Sequence, residues 1–328
     1  MTIEIKTSTL EPVRNTFEHI KRRFGDKPAT RYQEASYDVQ ATNNFHYKPF
    51  WDAEHELNDP SRTAIQMEDW YELKDPRQFY YGTYVQQRAK MQDLADNNYS
   101  FFEKRNLADL LSDEVKEKLI TLLIPLRHVD HTANLNNVYG SAYGTGTVVT
   151  QALLFYGTDR LGIAQYLSRI GLILDGNTGD VLIRAKQCWM EDEPLQGLRA
   201  LCEKSLLIKD WFELFIVQDL LIDTLLYDLV YAQYDSWLLE NGAQDVGMLT
   251  EFMQTWHKDS SRWVDNVVKV TVAESEANKQ QIEAWIKVWR EKVEQALAGY
   301  SEALLGSDSL SQSSAVLDKR LNKLGLFK

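Results

Sequence analysis

From residue 75 onward, apolar side chains recur at three- and four-residue steps, the period of helices that bury one face. The pattern predicts helices over 84–110, 148–174, 181–202, 210–239, 246–274 and 276–300. Another begins at Ser112, a good capping residue, followed by Asp113 and Glu114 at the positive end of the helix dipole. It carries Leu119, Leu122, Leu123 and Leu126 on one side. Breaks fall at Asp175-Gly176-Asn177, Lys209-Asp210 and Asn241-Gly242. In the last long helix Ile282, Trp285, Ile286, Trp289, Val293 and Leu297 form one stripe, read as core packing rather than a cofactor pocket. With no two-residue alternation and no internal repeat, the body over 81–305 reads as all-α, followed by a C-terminal tail over 306–328.

Residues 1–80 differ. Five of the seven prolines (Pro12, Pro28, Pro49, Pro60 and Pro76) lie here, among many aromatic rings. A short helix over 11–24 is expected, with Pro12 tolerated in its first turn. Beyond it, 27–75 shows no sustained period. So long an irregular stretch is unusual inside a compact domain, and it is too aromatic for a disordered linker. It is expected to be an arm lying on another surface, with Tyr47, Phe50, Trp51 and Trp70 as its partner-contacting anchors. The alternative is that it folds back onto the chain's own helices.

Composition narrows the function. The 328 residues can bury a large core, and a net charge of −12 argues against a nucleic-acid surface. No apolar run is long enough to span a membrane, and 1–10 lacks the apolar segment of a signal peptide. The two cysteines, Cys188 and Cys202, read as buried reduced thiols of a cytoplasmic protein. Gly140, Gly144 and Gly146 lack the preceding strand and third glycine of a phosphate loop and read as close packing. His131 and His257 have no recognisable triad neighbours.

A helical bundle prompts a search for a di-iron site, which takes one Glu from each of two helices and a Glu-x-x-His pair from each of two others. None of the six histidines has Glu three residues before it. Asp52-Ala53-Glu54-His55 comes near, but sits in the arm. Two runs have the shape of Asp-Glu-x-Arg-His with ligands replaced. Ile124-Pro125-Leu126-Arg127-His128 has Pro125 for Glu, and Asp259-Ser260-Ser261-Arg262-Trp263 has Ser260 for Glu and Trp263 for His. Proline offers no ligand and costs roughly 3 kcal/mol or more inside a helix. Asp223 stands about where a lone helix carboxylate belongs, with Asp219 one turn away. If buried it needs a partner, and Arg127, Arg262 or His128 are the candidates; the alternative is that both aspartates face water. Pro125, His128, Asp223, Ser260 and Trp263 therefore read as vestigial site positions, with no catalytic and no metal-binding residue in the chain.

The segments Arg31-Tyr32-Gln33-Glu34-Ala35, Asn44-Phe45-His46-Tyr47-Lys48-Pro49 and 75–84 (Asp-Pro-Arg-Gln-Phe-Tyr-Tyr-Gly-Thr-Tyr) resemble the β-type subunits of bacterial multicomponent di-iron monooxygenases, above all the phenol hydroxylase oxygenase component. The resemblance runs over nearly the whole chain and is weakest over 306–328. It implies a ferritin-like helical bundle and a hydroxylase of two α, two β and two γ subunits. The α subunit would hold the di-iron centre that inserts oxygen into an aromatic ring. Electrons would come through an NADH-dependent reductase, and a regulatory protein would also bind. On this reading the chain is a non-catalytic structural subunit without a cofactor of its own. The competing reading is a self-sufficient di-iron or radical-bearing oxidase using Asp219, Asp223 and His128.

Overall fold

The computed structural model describes residues 17–40 and 48–327, and among these there are helices and turns but no strand. Helix α1 (Glu18–Phe24) is the described part of the helix expected over 11–24; the rest of it, and Tyr47, lie outside the described residues. Helix α2 (Arg31–Ser36) appears where no element was expected. Reciprocal hydrogen bonds between Thr30 and Gln33 cap it, Gln33 N–H donating to Thr30 Oγ1 at 3.1 Å and Thr30 N–H to Gln33 Oε1 at 2.8 Å.

Helix α3 (Tyr81–Lys104) stops short of residue 110 because Asn106 turns left-handed at φ 51°, a conformation asparagine tolerates. Helix α4 runs without a break over 113–143 but changes pitch: an α segment (Asp113–Lys118), a π stretch (Leu119–Leu123), a 3-10 turn (Ile124–Leu126) and a final α segment (Arg127–Tyr143). The pitch changes where Pro125 removes a backbone donor and crowds the carbonyl one turn back, so a wider turn keeps the helix going.

Helix α5 (Thr147–Leu174) follows the expected range closely. The single helix expected over 181–202 is two, α6 (Asp180–Glu191) and α7 (Glu193–Ser205). Pro194 sits in the first turn of α7, where its missing N–H has no helical partner to lose. Helix α8 spans 211–240 and contains two π stretches, Ile216–Ile222 and Leu229–Gln233. Then come α9 (Gln244–Glu274), α10 (Glu276–Leu305) and α11 (Ser309–Lys323). The expected tail is thus largely a helix: α11 buries Leu317 and Leu321 in the main core, joined by Leu324 and Leu326 after it.

Helices α4, α5, α8 and α9 pack around one centre, with α3 against α9 and α10 against α7 and α8. Much of the N-terminal segment folds back on this body. Ile20, Tyr32 and Tyr37 form a small cluster with Val148, while Ile65, Trp70 and Leu73 enter the main core. Trp70, expected as a partner anchor, packs at a tilt against Trp211, with ring centroids 5.7 Å apart. It also lies against Gly146, where φ is 87° and a Cβ would come within 3.0 Å of the Trp70 Cβ. Phe50 and Trp51 do the opposite and remain 104% and 75% exposed. Trp285 and Trp289 are packed into the core as expected. No helix of the described residues is long and apolar enough to cross a membrane.

Candidate functional site

The bundle centre is polar, and it is organised by a residue the sequence reading did not single out. Arg160 on α5 is wholly buried. Its Nε lies 2.9 Å from Asp130 Oδ1 on α4 and its Nη2 lies 3.2 Å from Asp223 Oδ1 on α8. Neither contact is an aligned hydrogen bond, so these are ionic contacts. Nη1 donates to the Tyr227 hydroxyl at 2.9 Å, and the guanidinium carbon lies 5.2 Å from the Tyr227 ring centroid and 5.4 Å from that of Trp256.

Asp223 is saturated on its other sides. Tyr156 donates to Oδ2 at 2.8 Å, and Gln218 Nε2 donates to Oδ1 at 3.0 Å. Gln218 in turn accepts from Asn136 at 2.9 Å. Asp219 takes one hydrogen bond, from Asn137 at 3.0 Å, and its Oδ2 has no partner. A buried carboxylate with so little compensation keeps its proton: burial, then the nearby Asp223 charge, push Asp219 well above the usual carboxylate range. Burial likewise raises Asp130 to about 7, against the pull of Arg160. Burial works against the charge on Arg160 itself, but Asp130 and Asp223 outweigh it and hold the proton firmly.

On the far side, Ser260 and Trp263 of α9 are also fully buried. Trp263 packs against Tyr156 at 5.6 Å and Phe215 at 5.4 Å. The Ser260 hydroxyl donates back to the Trp256 carbonyl. Next to this lies Asp159, which accepts from the Tyr84 hydroxyl at 2.9 Å, from Arg88 at 2.7 Å on each oxygen, and from Trp256 Nε1 at 2.8 Å. It ties α3, α5 and α9 together.

Of the residues singled out from sequence, Asp223, Ser260 and Trp263 converge on Tyr156 and Trp256. His128 does not join them. It stacks on Trp189 of α6 at 5.5 Å, and burial with the adjacent Arg127 charge lowers its pKa to about 4. The residues required for a self-sufficient oxidase, Asp219, Asp223 and His128, therefore do not share a site. Pro125 is buried more than a turn before Asp130, the α4 residue that reaches the centre. Asp223 is buried and paired with an arginine, but neither candidate chosen from the motifs is that arginine. Arg127 donates to the Leu182 carbonyl at 2.8 Å, and Arg262 is a largely exposed neighbour of Asp259. Arg127 thus turns toward α6 and Arg262 toward solvent, whereas Arg160 points into the bundle centre.

The donor set does not fit a pair of metal ions. A guanidinium fills the space between the two central carboxylates, and aromatic rings fill the side toward α9. Among the described residues, no group of three or more His, Cys, Asp or Glu side chains is arranged to hold a metal. The two thiols are poor nucleophiles, since burial raises Cys188 to about 11 and Cys202 to about 12.

Residues 51–275 match the family model described as methane/phenol/alkene hydroxylase. The chain belongs to this hydroxylase family. It is 54% identical over 326 residues to the phenol 2-monooxygenase oxygenase component MhpL of Acinetobacter pittii, covering 99% of this chain and 98% of that one. It is 22% identical over 253 residues to the hydroxylase component subunit beta of the toluene-4-monooxygenase system of Ectopseudomonas mendocina, covering 76% of each. The crystal structure of xenon-pressurised phenol hydroxylase from Pseudomonas sp. OX1 includes a chain 53% identical, superposing with a TM-score of 0.94 over 98% of both chains. The hydroxylase family thus carries the all-helical fold read from the hydrophobic pattern.

Proposed function

We propose that this chain is the β-type, non-catalytic subunit of the hydroxylase component of a phenol-oxidising multicomponent monooxygenase. The catalytic α-type subunit holds the di-iron centre, a small γ-type subunit completes two copies of each, and a regulatory protein and an NADH-dependent reductase act on the assembly. The likeness to oxygenase components over the full length supports the role in the complex.

The observation that carries the non-catalytic part is Arg160. A di-iron bundle uses one carboxylate from each of two helices and a pair one turn apart from each of two others. Here α4 and α8 contribute Asp130 and Asp223. Helices α5 and α9 contribute pairs at the same three-residue step, Tyr156 with Asp159 and Ser260 with Trp263. In this reading these are the replaced positions, with Tyr156 and Asp159 taking the place first assigned to Pro125 and His128. The positive charge a metal pair would bring is supplied instead by one guanidinium, which neutralises carboxylates but binds no oxygen. The residues left at the centre hold the helices together.

Co-expression with the candidate catalytic subunit tests the role. The expected result is a stable complex that hydroxylates phenol when reductase and regulatory protein are added, with no turnover by this chain alone under the same conditions. Phenol oxidation by the isolated chain would overturn the proposal.

A further inference from the structure

Charged residues make up 26% of the chain, yet over 131–168 only Asp159 and Arg160 are charged, and both are buried. Over this stretch the hairpin of α4 and α5 therefore presents an outer face with no Asp, Glu, Lys or Arg. The face carries Leu135, Val138, Leu154 and Leu161, all exposed, with Thr158 and the His131 ring between and beside them. Solvent-facing helices ordinarily carry charge on the outer side, and contiguous exposed apolar surface on a soluble protein marks a contact site.

The size of the face approaches that of a stable interface. At 1.5 Å per residue the 28 residues of α5 run about 42 Å and the final segment of α4 about 25 Å. The charge-free parts, 131–143 and 147–168, cover about 20 Å and about 33 Å of these lengths, and two adjacent helices present a strip roughly 20 Å wide, so the face offers on the order of 500 Å², a large share of the ~800 Å² per partner of a standard interface. Its border adds anchors. A pocket of about 610 Å³ lined by Trp51, Arg62, Tyr139, Tyr143 and Lys209 opens beside the C-terminal end of α4. The exposed Trp51 ring, which lines this pocket, thus borders the face rather than standing apart from it, and the exposed Phe50 is its neighbour in sequence.

We infer that the outer face of the α4–α5 hairpin is the docking surface for the catalytic subunit, which meets it with an uncharged, largely apolar helical face of its own. The inference rests on the β-subunit reading above. A second copy of this chain suits the face less well: pairing would bring together two chains of −12 with no ion pair across the seam.

The test uses the double variants Leu154→Glu/Leu161→Glu and Leu154→Lys/Leu161→Lys, co-expressed with the catalytic subunit, with circular dichroism of each chain as the folding check. Thr158→Lys serves as a milder variant, since Lys is the better helix former. Leu239→Glu, an exposed leucine at the end of α8, is the control. Both charge signs are expected to reduce co-purified catalytic subunit at least tenfold, Thr158→Lys to reduce it severalfold, and the control to leave it unchanged. Full assembly by folded double variants overturns the docking face alone and leaves the subunit reading standing. A wild-type chain that never binds the catalytic subunit, or that instead dimerises through this face, overturns both.

Discussion

Replacing Arg160 with Met is the sharpest perturbation of the bundle centre. The side chains are similar in length, so packing changes little. What disappears is the ionic contact to Asp130 at 2.9 Å, the one to Asp223 at 3.2 Å, and the hydrogen bond to Tyr227. Breaking a buried pair typically costs 3–5 kcal/mol, because the surviving charge is left without compensation. Here two carboxylates are left, although Tyr156 and Gln218 still donate to Asp223. A loss of about 4 kcal/mol at pH 7.5 is expected, read from urea denaturation of the isolated chain by circular dichroism. The pH dependence separates this cause from a packing defect. Without the guanidinium, whose charge opposes the upward push of burial on Asp130, that carboxyl titrates at still higher pH, so the variant takes up a proton on folding and its deficit shrinks as pH falls from 7.5 to 5. The neutral triple variant Asp130→Asn/Arg160→Met/Asp223→Asn is expected to recover most of the loss. A deficit below about 1 kcal/mol, or one unchanged between pH 5 and 7.5, would refute the reasoning.

Trp263, which the proposed reading sets in place of a histidine ligand, is fully buried. Trp263→His combined with Ser260→Glu is expected to lower stability by about 3–5 kcal/mol through the lost ring volume and still to bind no stoichiometric iron, read by denaturation and elemental analysis. His257 stacks on Tyr227 at 4.4 Å with its Nε2 sealed from water, and burial, with Arg320 and Arg160 adding, lowers its pKa to about 3. The folded state then binds fewer protons than the unfolded one below about 6.5, so stability falls on acidification; between pH 7 and 5 the loss is up to about 2 kcal/mol, and His257→Phe removes it. Phe50→Ala/Trp51→Ala is expected to change stability by less than about 0.5 kcal/mol but to weaken subunit binding by about 2 kcal/mol or more. Trp70→Ala does the reverse in a denaturation assay, losing about 3–5 kcal/mol.

Where the sequence carried a strict period, the reading followed the structure. The Ile282–Leu297 stripe lies in α10, and both α9 and α10 end within a few residues of the expected limits. The α6–α7 junction was missed because the apolar period runs across Pro194, a residue compatible with a helix start as well as a stop. Trp70 and Trp51 were given one role since nothing local separates a tryptophan that meets Trp211 from one that meets solvent. Asp223 was legible as a buried acid needing a cation, and Arg160 was not legible as that cation. An Asp159-Arg160 pair reads like surface charge. The signal that identifies it is the emptiness around it: two charges alone in the otherwise uncharged stretch 131–168 cannot both face water without exposing the apolar sides. That same emptiness marks the outer face of α4 and α5.

The central claim is that a guanidinium holds this bundle together in place of metal, so that iron in the hydroxylase belongs to the catalytic subunit. Elemental analysis of the chain and of the catalytic subunit, separately expressed in iron-supplemented medium and then assembled, tests it most directly. Iron is expected at about two per catalytic subunit and at background in this chain, before and after assembly, with Arg160→Met no different in iron content. About two irons per copy of this chain, with the absorption of an oxo-bridged pair, would contradict the account.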